Sequence, residues 1–115
     1  MSVTILHNPR CSKSRQTLAL LQEQGVEPQV REYLQQPLSA QELELLIRQL
    51  GVEAKQLVRS KEDEFKQTGL NLNTASAEEL IAAMVTTPKL MERPVVITEK
   101  GARIGRPPEQ VLEIL

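Results

Sequence analysis

Val3-Thr4-Ile5-Leu6-His7-Asn8-Pro9-Arg10-Cys11-Ser12 is the stretch on which the fold turns. Val3 to Leu6 is a short apolar run of strand length. His7-Asn8-Pro9-Arg10 interrupts it, because Asn and Pro favour turns over regular structure. From Ser12 the spacing becomes helical. Leu18, Leu21 and the neighbouring Leu20 form an apolar stripe, and Gly25 is a natural C-terminal stop. Glu27 to Leu34, with Val30 and Tyr33 among polar residues, reads as a second strand before Pro37. A strand, a helix and a strand in close succession make a βαβ unit with parallel strands.

Beyond Pro37 the chain reads as helical. Ser39-Ala40-Gln41-Glu42 and Ser76-Ala77-Glu78-Glu79 both match the capping box, in which Ser and a Glu three residues later satisfy orphan amides. Leu43, Leu46, Ile47 and Leu50 follow the spacing of one buried helix face, ended by Gly51. Val52 to Arg59 reads as a short helix, and Lys61 to Thr68 as another turn or two. Leu80, Ile81, Met84 and Val85 make the apolar face of a further helix, closed by Pro88. Strand character returns at Pro94 to Thr98. Glu99-Lys100-Gly101 has the form of a hairpin turn, with Gly supplying positive φ, and Ala102 to Ile104 is the return strand. Gly105-Arg106-Pro107-Pro108 opens a final helix through Leu115, with Pro tolerated in its first turn. The predicted fold class is α/β: βαβ, then an all-helical insert at about residues 38–91, then ββα, in a single domain spanning 1–115.

Composition narrows the function. Fourteen basic residues against 15 acidic ones give a net charge of -1, without the basic excess that nucleic acid requires. Aromatic residues are 2% of the chain, too few for base-stacking platforms. No apolar run reaches the roughly 18 residues of a membrane span. The start, Met1-Ser2-Val3-Thr4-Ile5-Leu6, lacks the basic and long apolar regions of a signal peptide. One cysteine cannot close an internal disulfide, so a reducing cytoplasm is the expected location. One His and one Cys are too few for a zinc site built from those residues.

That cysteine, Cys11, falls where the first helix begins. Orphan amides and the positive end of the helix dipole meet there. Both lower a thiol pKa and favour the nucleophilic thiolate. The same amides can hold an oxyanion. Ser12 and Ser14 add hydroxyls, and Arg10, Lys13 and Arg15 add cations. His7, protonated or as a donor, can stabilise the thiolate further. A lone cysteine is more often a small buried hydrophobe. The polar, basic flanks here favour a reactive thiol that acts on an oxyanion. Arg10 and Lys13 also suit plain solvated charges, and no role is given to them.

The segment His7-Asn8-Pro9-Arg10-Cys11-Ser12-Lys13-Ser14-Arg15 resembles the active-site loop of the glutaredoxin-coupled arsenate reductases, the ArsC-like proteins. The resemblance continues through Leu57-Val58-Arg59, Glu92-Arg93-Pro94-Val95-Val96 and Ala102-Arg103-Ile104-Gly105-Arg106-Pro107. It is closest to short members that carry Cys-Ser-Lys-Ser in the loop. It implies a thioredoxin-like fold with a helical insert. It implies that Cys11 attacks arsenate to give a thiolate–arsenate adduct. His7 and Ser14 would assist the thiolate, and Arg59, Arg93 and Arg106, with Arg15 in the loop, would bind the oxyanion. Planar guanidinium groups suit tetrahedral oxyanions. Pro94 would be the cis-proline beside the active site. Well-studied members often carry Gly-Thr where this chain has Ser12-Lys13, and Gly adopts positive φ more easily than Ser.

Electron counting adds a constraint. Reducing arsenate to arsenite takes two electrons, and one cysteine cannot supply both by closing an internal disulfide. An outside thiol must complete the cycle. The resemblance names glutathione as co-substrate and glutaredoxin as partner, with no bound cofactor or metal, and a role in arsenic resistance; a cytoplasmic monomer is expected. Two other functions fit the same fold. One is a glutathione-dependent thiol oxidoreductase acting on another substrate. The other is a Spx-like regulator that binds RNA polymerase, since fold alone does not settle function. Cys11-Ser12-Lys13-Ser14 lacks the two-cysteine switch that many such regulators carry.

Overall fold

The computed structural model describes residues 2–115; Met1, the first residue of the expected leaderless start and of the 1–115 span, lies outside them. The described residues divide into two compact units. One runs up to Gln36 and resumes over Arg93–Leu115; the other is Pro37–Glu92.

The first unit is built on a four-stranded sheet. Its strands are β1 (Thr4–Leu6), β2 (Gln29–Arg31), β3 (Val95–Thr98) and β4 (Gly101–Ile104), in the order β2-β1-β3-β4. β1 and β2 are parallel, with Ile5 opposite Val30, as a βαβ crossover requires. β3 runs antiparallel to both β1 and β4, with Ile5 opposite Val96 and Val95 opposite Ile104. The Thr98–Gly101 pair closes a two-residue loop, and Gly101 has φ +138°, as the hairpin reading expects. Helix α1 (Ser12–Glu23) joins β1 to β2, and a 3₁₀ helix over Pro108–Ile114 ends the chain. Val3 and Ile5, Leu21, Val96, and Val111 and Ile114 form one buried cluster, so α1 and the terminal helix share a face of the sheet. Thr98 Oγ1 ties the terminal helix down by donating to the Ile114 carbonyl at 2.7 Å.

The second unit is helical. It contains α2 (Ala40–Leu50), α3 (Ala54–Leu57), α4 (Asp63–Gln67), α5 (Ala77–Thr86) and a 3₁₀ turn at Pro88–Leu90. Both expected capping boxes form, at Ser39–Glu42 and Ser76–Glu79. Gly51 ends α2 in the left-handed conformation that glycine adopts at little cost. Leu43, Leu46, Leu80, Ile81 and Met84 are buried, as their spacing predicts.

Sheet, parallel βαβ crossover, antiparallel ββ return and helical insertions make this a thioredoxin-like α/β fold. Three sequence expectations need correcting. The second strand covers only Gln29–Arg31, because the amides of Gln35 and Gln36 fold back to the Glu32 carbonyl and turn the chain. The helix expected over Val52 to Arg59 stops at Leu57. There Val58 is extended and pairs with Met91 in an isolated antiparallel bridge, so Arg59 follows the bridge and lies outside the helix. The final helix is 3₁₀ throughout rather than α.

Candidate active site

The loop between β1 and α1 is shaped by its own backbone. Asn8 Oδ1 accepts the Arg10 N–H at 3.0 Å, and the Asn8 carbonyl accepts the Cys11 N–H at 3.0 Å. Asn after a strand favours this local turn. It places Cys11 as the N-cap of α1, at φ -94° and ψ 124°. No non-glycine residue among those described has positive φ, so Ser12 enters the helix with an ordinary backbone.

Cys11 is partly exposed and makes no conventional side-chain cap hydrogen bond. Even so, its thiol pKa is lowered. Burial pushes it up, but the Ser14 N–H, the Arg93 guanidinium and the Lys13 N–H together outweigh that effect. This is the helix-start activation expected for a nucleophilic thiol.

Two arginines reach the sulfur. Arg106 Nη2 lies 3.6 Å from Cys11 Sγ, and its Nε–H donates to the Arg93 carbonyl at 2.7 Å. Arg93 is half-buried and precedes Pro94 through a cis peptide bond, as expected. Arg106–Pro107 is also cis, which the sequence reading does not anticipate. Burial disfavours the charge on Arg93, but hydrogen bonding to Cys11 and the nearby Tyr33 phenol favour it more, and its pKa is raised.

His7 and Ser14 form a buried pair, with Ser14 Oγ 2.7 Å from His7 Nδ1. Ser14 Oγ also accepts the Asn8 N–H at 3.0 Å, so the pair braces the loop. Burial lowers the His7 pKa; Glu32 opposes this, and Arg15 adds to it. The shift favours the neutral imidazole, which fits the donor role of the sequence expectation better than the protonated one. Arg15 is exposed, and its Nη1 donates to the Pro9 carbonyl at 2.9 Å, a loop brace.

Arg59 belongs to the helical unit. Its Nε pairs with Glu62 at 3.1 Å, and its Nη1 lies 3.8 Å from Glu92. Its backbone N–H donates to the Leu90 carbonyl at 2.6 Å, beside the Val58–Met91 bridge.

Asn8 and Tyr33 are two residues of the site's surroundings that the sequence expectations do not mark. Asn8 carried a usable signal in the Asn-Pro step after a strand. Tyr33 carried none, since its position depends on where β2 ends. Among the described residues, no group of three or more His, Cys, Asp or Glu side chains could hold a metal, and no helix is long and apolar enough to cross a membrane.

This chain is similar to known proteins over nearly its whole length. The ArsC family profile matches residues 6–114. The uncharacterized protein YfgD of Escherichia coli K12 is 57% identical over 114 residues, covering 98% of this chain and 96% of its own. An arsenate reductase of Haemophilus influenzae is 47% identical over 116 residues, covering 100% of both chains. The solved structure of an arsenate reductase from Vibrio cholerae matches with a TM-score of 0.96 at 53% identity, over 100% of this chain and 98% of its own. With one cysteine at a helix start, arginines on its sulfur and a match over nearly its whole length, this chain belongs to the ArsC family.

Proposed function

We propose that this protein is an arsenate reductase that works through a Cys11 thiolate–arsenate adduct and is completed by glutathione and glutaredoxin. The observation that carries the reading is the Cys11 sulfur, set on the first-turn amides of α1 with Arg93 and Arg106 beside it. The thiolate attacks arsenic, and one arsenate oxygen leaves as water after protonation. Glutathione then attacks the adduct. Arsenic leaves as arsenite with two electrons, one from each sulfur, and Cys11 is left in a mixed disulfide with glutathione. Glutaredoxin takes up the glutathionyl group and returns Cys11 to the thiol.

Arg93 and Arg106 suit the oxyanion because guanidinium groups offer paired donors and keep their charge. Arg59 is assigned to the same anion by the family motif alone. Arg15, Ser14 and His7 support the reading as parts of the loop rather than as contacts to the sulfur. Their bonds hold Pro9, Asn8 and the start of α1 in place.

The test is arsenate-dependent NADPH consumption with glutathione, glutathione reductase and glutaredoxin. Turnover is expected, and loss of it in Cys11→Ser. Wild-type turnover no higher than that of Cys11→Ser would end the proposal.

A further inference from the structure

Gly105 lies between β4 and Arg106, and its backbone does not explain it. Gly25, Gly51, Gly69 and Gly101 have positive φ, whereas Gly105 does not. Space explains it. A Cβ at Gly105 would meet Thr17 Oγ1 at 2.6 Å, Pro94 Cγ at 2.9 Å and Thr17 Cγ2 at 3.2 Å. The first two are closer than real Cβ contacts come.

Neither neighbour yields readily. Thr17 is fully buried, is stiff because it is β-branched, and donates from Oγ1 to the Lys13 carbonyl at 2.8 Å. Pro94 is a buried ring whose carbonyl accepts the Gly105 N–H at 2.9 Å. The contact therefore joins three chain segments. Each segment is tied to one member of the sulfur site: Cys11 caps α1, the segment entering β3 carries Arg93, and the segment leaving β4 carries Arg106.

We propose that Gly105 is a positioning residue: by letting the end of β4 close against Thr17 and Pro94, it sets the Arg106 guanidinium against the Cys11 sulfur. A side chain here levers the segment outward. Arg106 is the next residue, so its 2.7 Å bond to the Arg93 carbonyl and its 3.6 Å contact with the sulfur lengthen first. The functional meaning rests on the oxyanion-reductase reading, but the test does not.

The thiol is titrated by thiolate absorbance and by its rate of alkylation with iodoacetamide. The proteins compared are wild type, Gly105→Ala, Arg106→Ala, the two combined, and Gly105→Ala with Thr17→Ala. Gly105→Ala is expected to raise the Cys11 pKa, because it withdraws the Arg106 charge that lies 3.6 Å from the sulfur. In the Arg106→Ala background the same change adds nothing. Thr17→Ala recovers part of the shift, because two of the three contacts belong to Thr17. The proposal is overturned if Gly105→Ala titrates like wild type, if its effect adds in full to that of Arg106→Ala, or if Thr17→Ala recovers nothing. If Gly105→Ala does not fold, Thr17→Ala with Gly105→Ala is compared with Thr17→Ala alone. The Pro94 contact remains there, so a smaller rise is expected, and no rise overturns the proposal. A wild type that fails to reduce arsenate would end the functional reading and leave this titration standing.

Discussion

Arg106 donates its Nε–H to the Arg93 carbonyl at 2.7 Å while its Nη2 faces Cys11 Sγ at 3.6 Å. One planar group thus holds the backbone before Pro94 and addresses the sulfur with its other edge. A lysine cannot do both, because its ammonium is a point charge on a flexible stem. Arg106→Lys is expected to raise the KM for arsenate about tenfold or more, the worth of one charge-assisted hydrogen bond. Steady-state kinetics in the coupled assay check this. A KM equal to wild type would show that charge alone suffices at this position.

The lowered Cys11 pKa sets a pH dependence of stability as well as of reactivity. The unfolded thiol titrates at about 8.5 and the folded one lower. Between the two values the unfolded chain binds more protons, so stability rises with pH. The thiolate's contribution is full above the unfolded value and is lost as pH falls through the folded one. Melting temperatures of wild type and Cys11→Ser should therefore diverge in favour of wild type as pH rises toward 8.5. Parallel curves would contradict an activated thiol.

His7 acts in a lower window. Its pKa is lowered from 6.5, chiefly by burial, which disfavours the charged form. Its neutral form contributes in full above 6.5, and that contribution is lost as pH falls through the lower folded value. Acid unfolding monitored by circular dichroism should show this loss, and His7→Asn should flatten the curve below 6.5.

Ser14→Ala should destabilise the fold by about 2 kcal/mol, since it removes a hydroxyl that serves both the Asn8 N–H and His7 Nδ1. Ser14 is fully buried, so water cannot readily replace the hydroxyl. Urea denaturation measures the change. A loss as small as that of an exposed serine would show that the loop is braced elsewhere.

The helical unit offers a simpler check. Ser39 and Glu42 exchange bonds of 3.2 and 2.9 Å across the start of α2. Ser39→Ala should cost about 1 kcal/mol. It should leave Cys11 reactivity unchanged, as read by iodoacetamide alkylation beside a thermal melt.

The elements that signal themselves locally were the legible ones. Both capping boxes, the Gly51 stop, the hairpin at Glu99-Lys100 and the start of α1 at Ser12 follow from a few adjacent residues. The end of β2 did not, because Tyr33 has strand character and only the turn bonds to Glu32 stop the strand. Val58 and Arg59 escaped for a similar reason: their partners Met91 and Leu90 lie about thirty residues away. In the site, Cys11 was legible from its flanks. The pairing of Arg106 with the Arg93 carbonyl was not, since it depends on how β3 and β4 return beside α1. The lowering of the His7 pKa follows from burial, which the flanking charges did not reveal.

The Asn8–Cys11 turn has a consequence for the working cycle. It uses the cysteine's own N–H, so the next two amides to bear on the sulfur are those of Lys13 and Ser14. While the sulfur is an anion, it serves as the electrostatic cap of α1. Once the sulfur is joined to another sulfur in the mixed disulfide, that charge is gone and these two amides lose their anionic partner. The first turn of α1 is therefore expected to hold less firmly in the mixed disulfide than in the free thiolate. Amide exchange at Lys13 and Ser14 would then report the covalent state of Cys11.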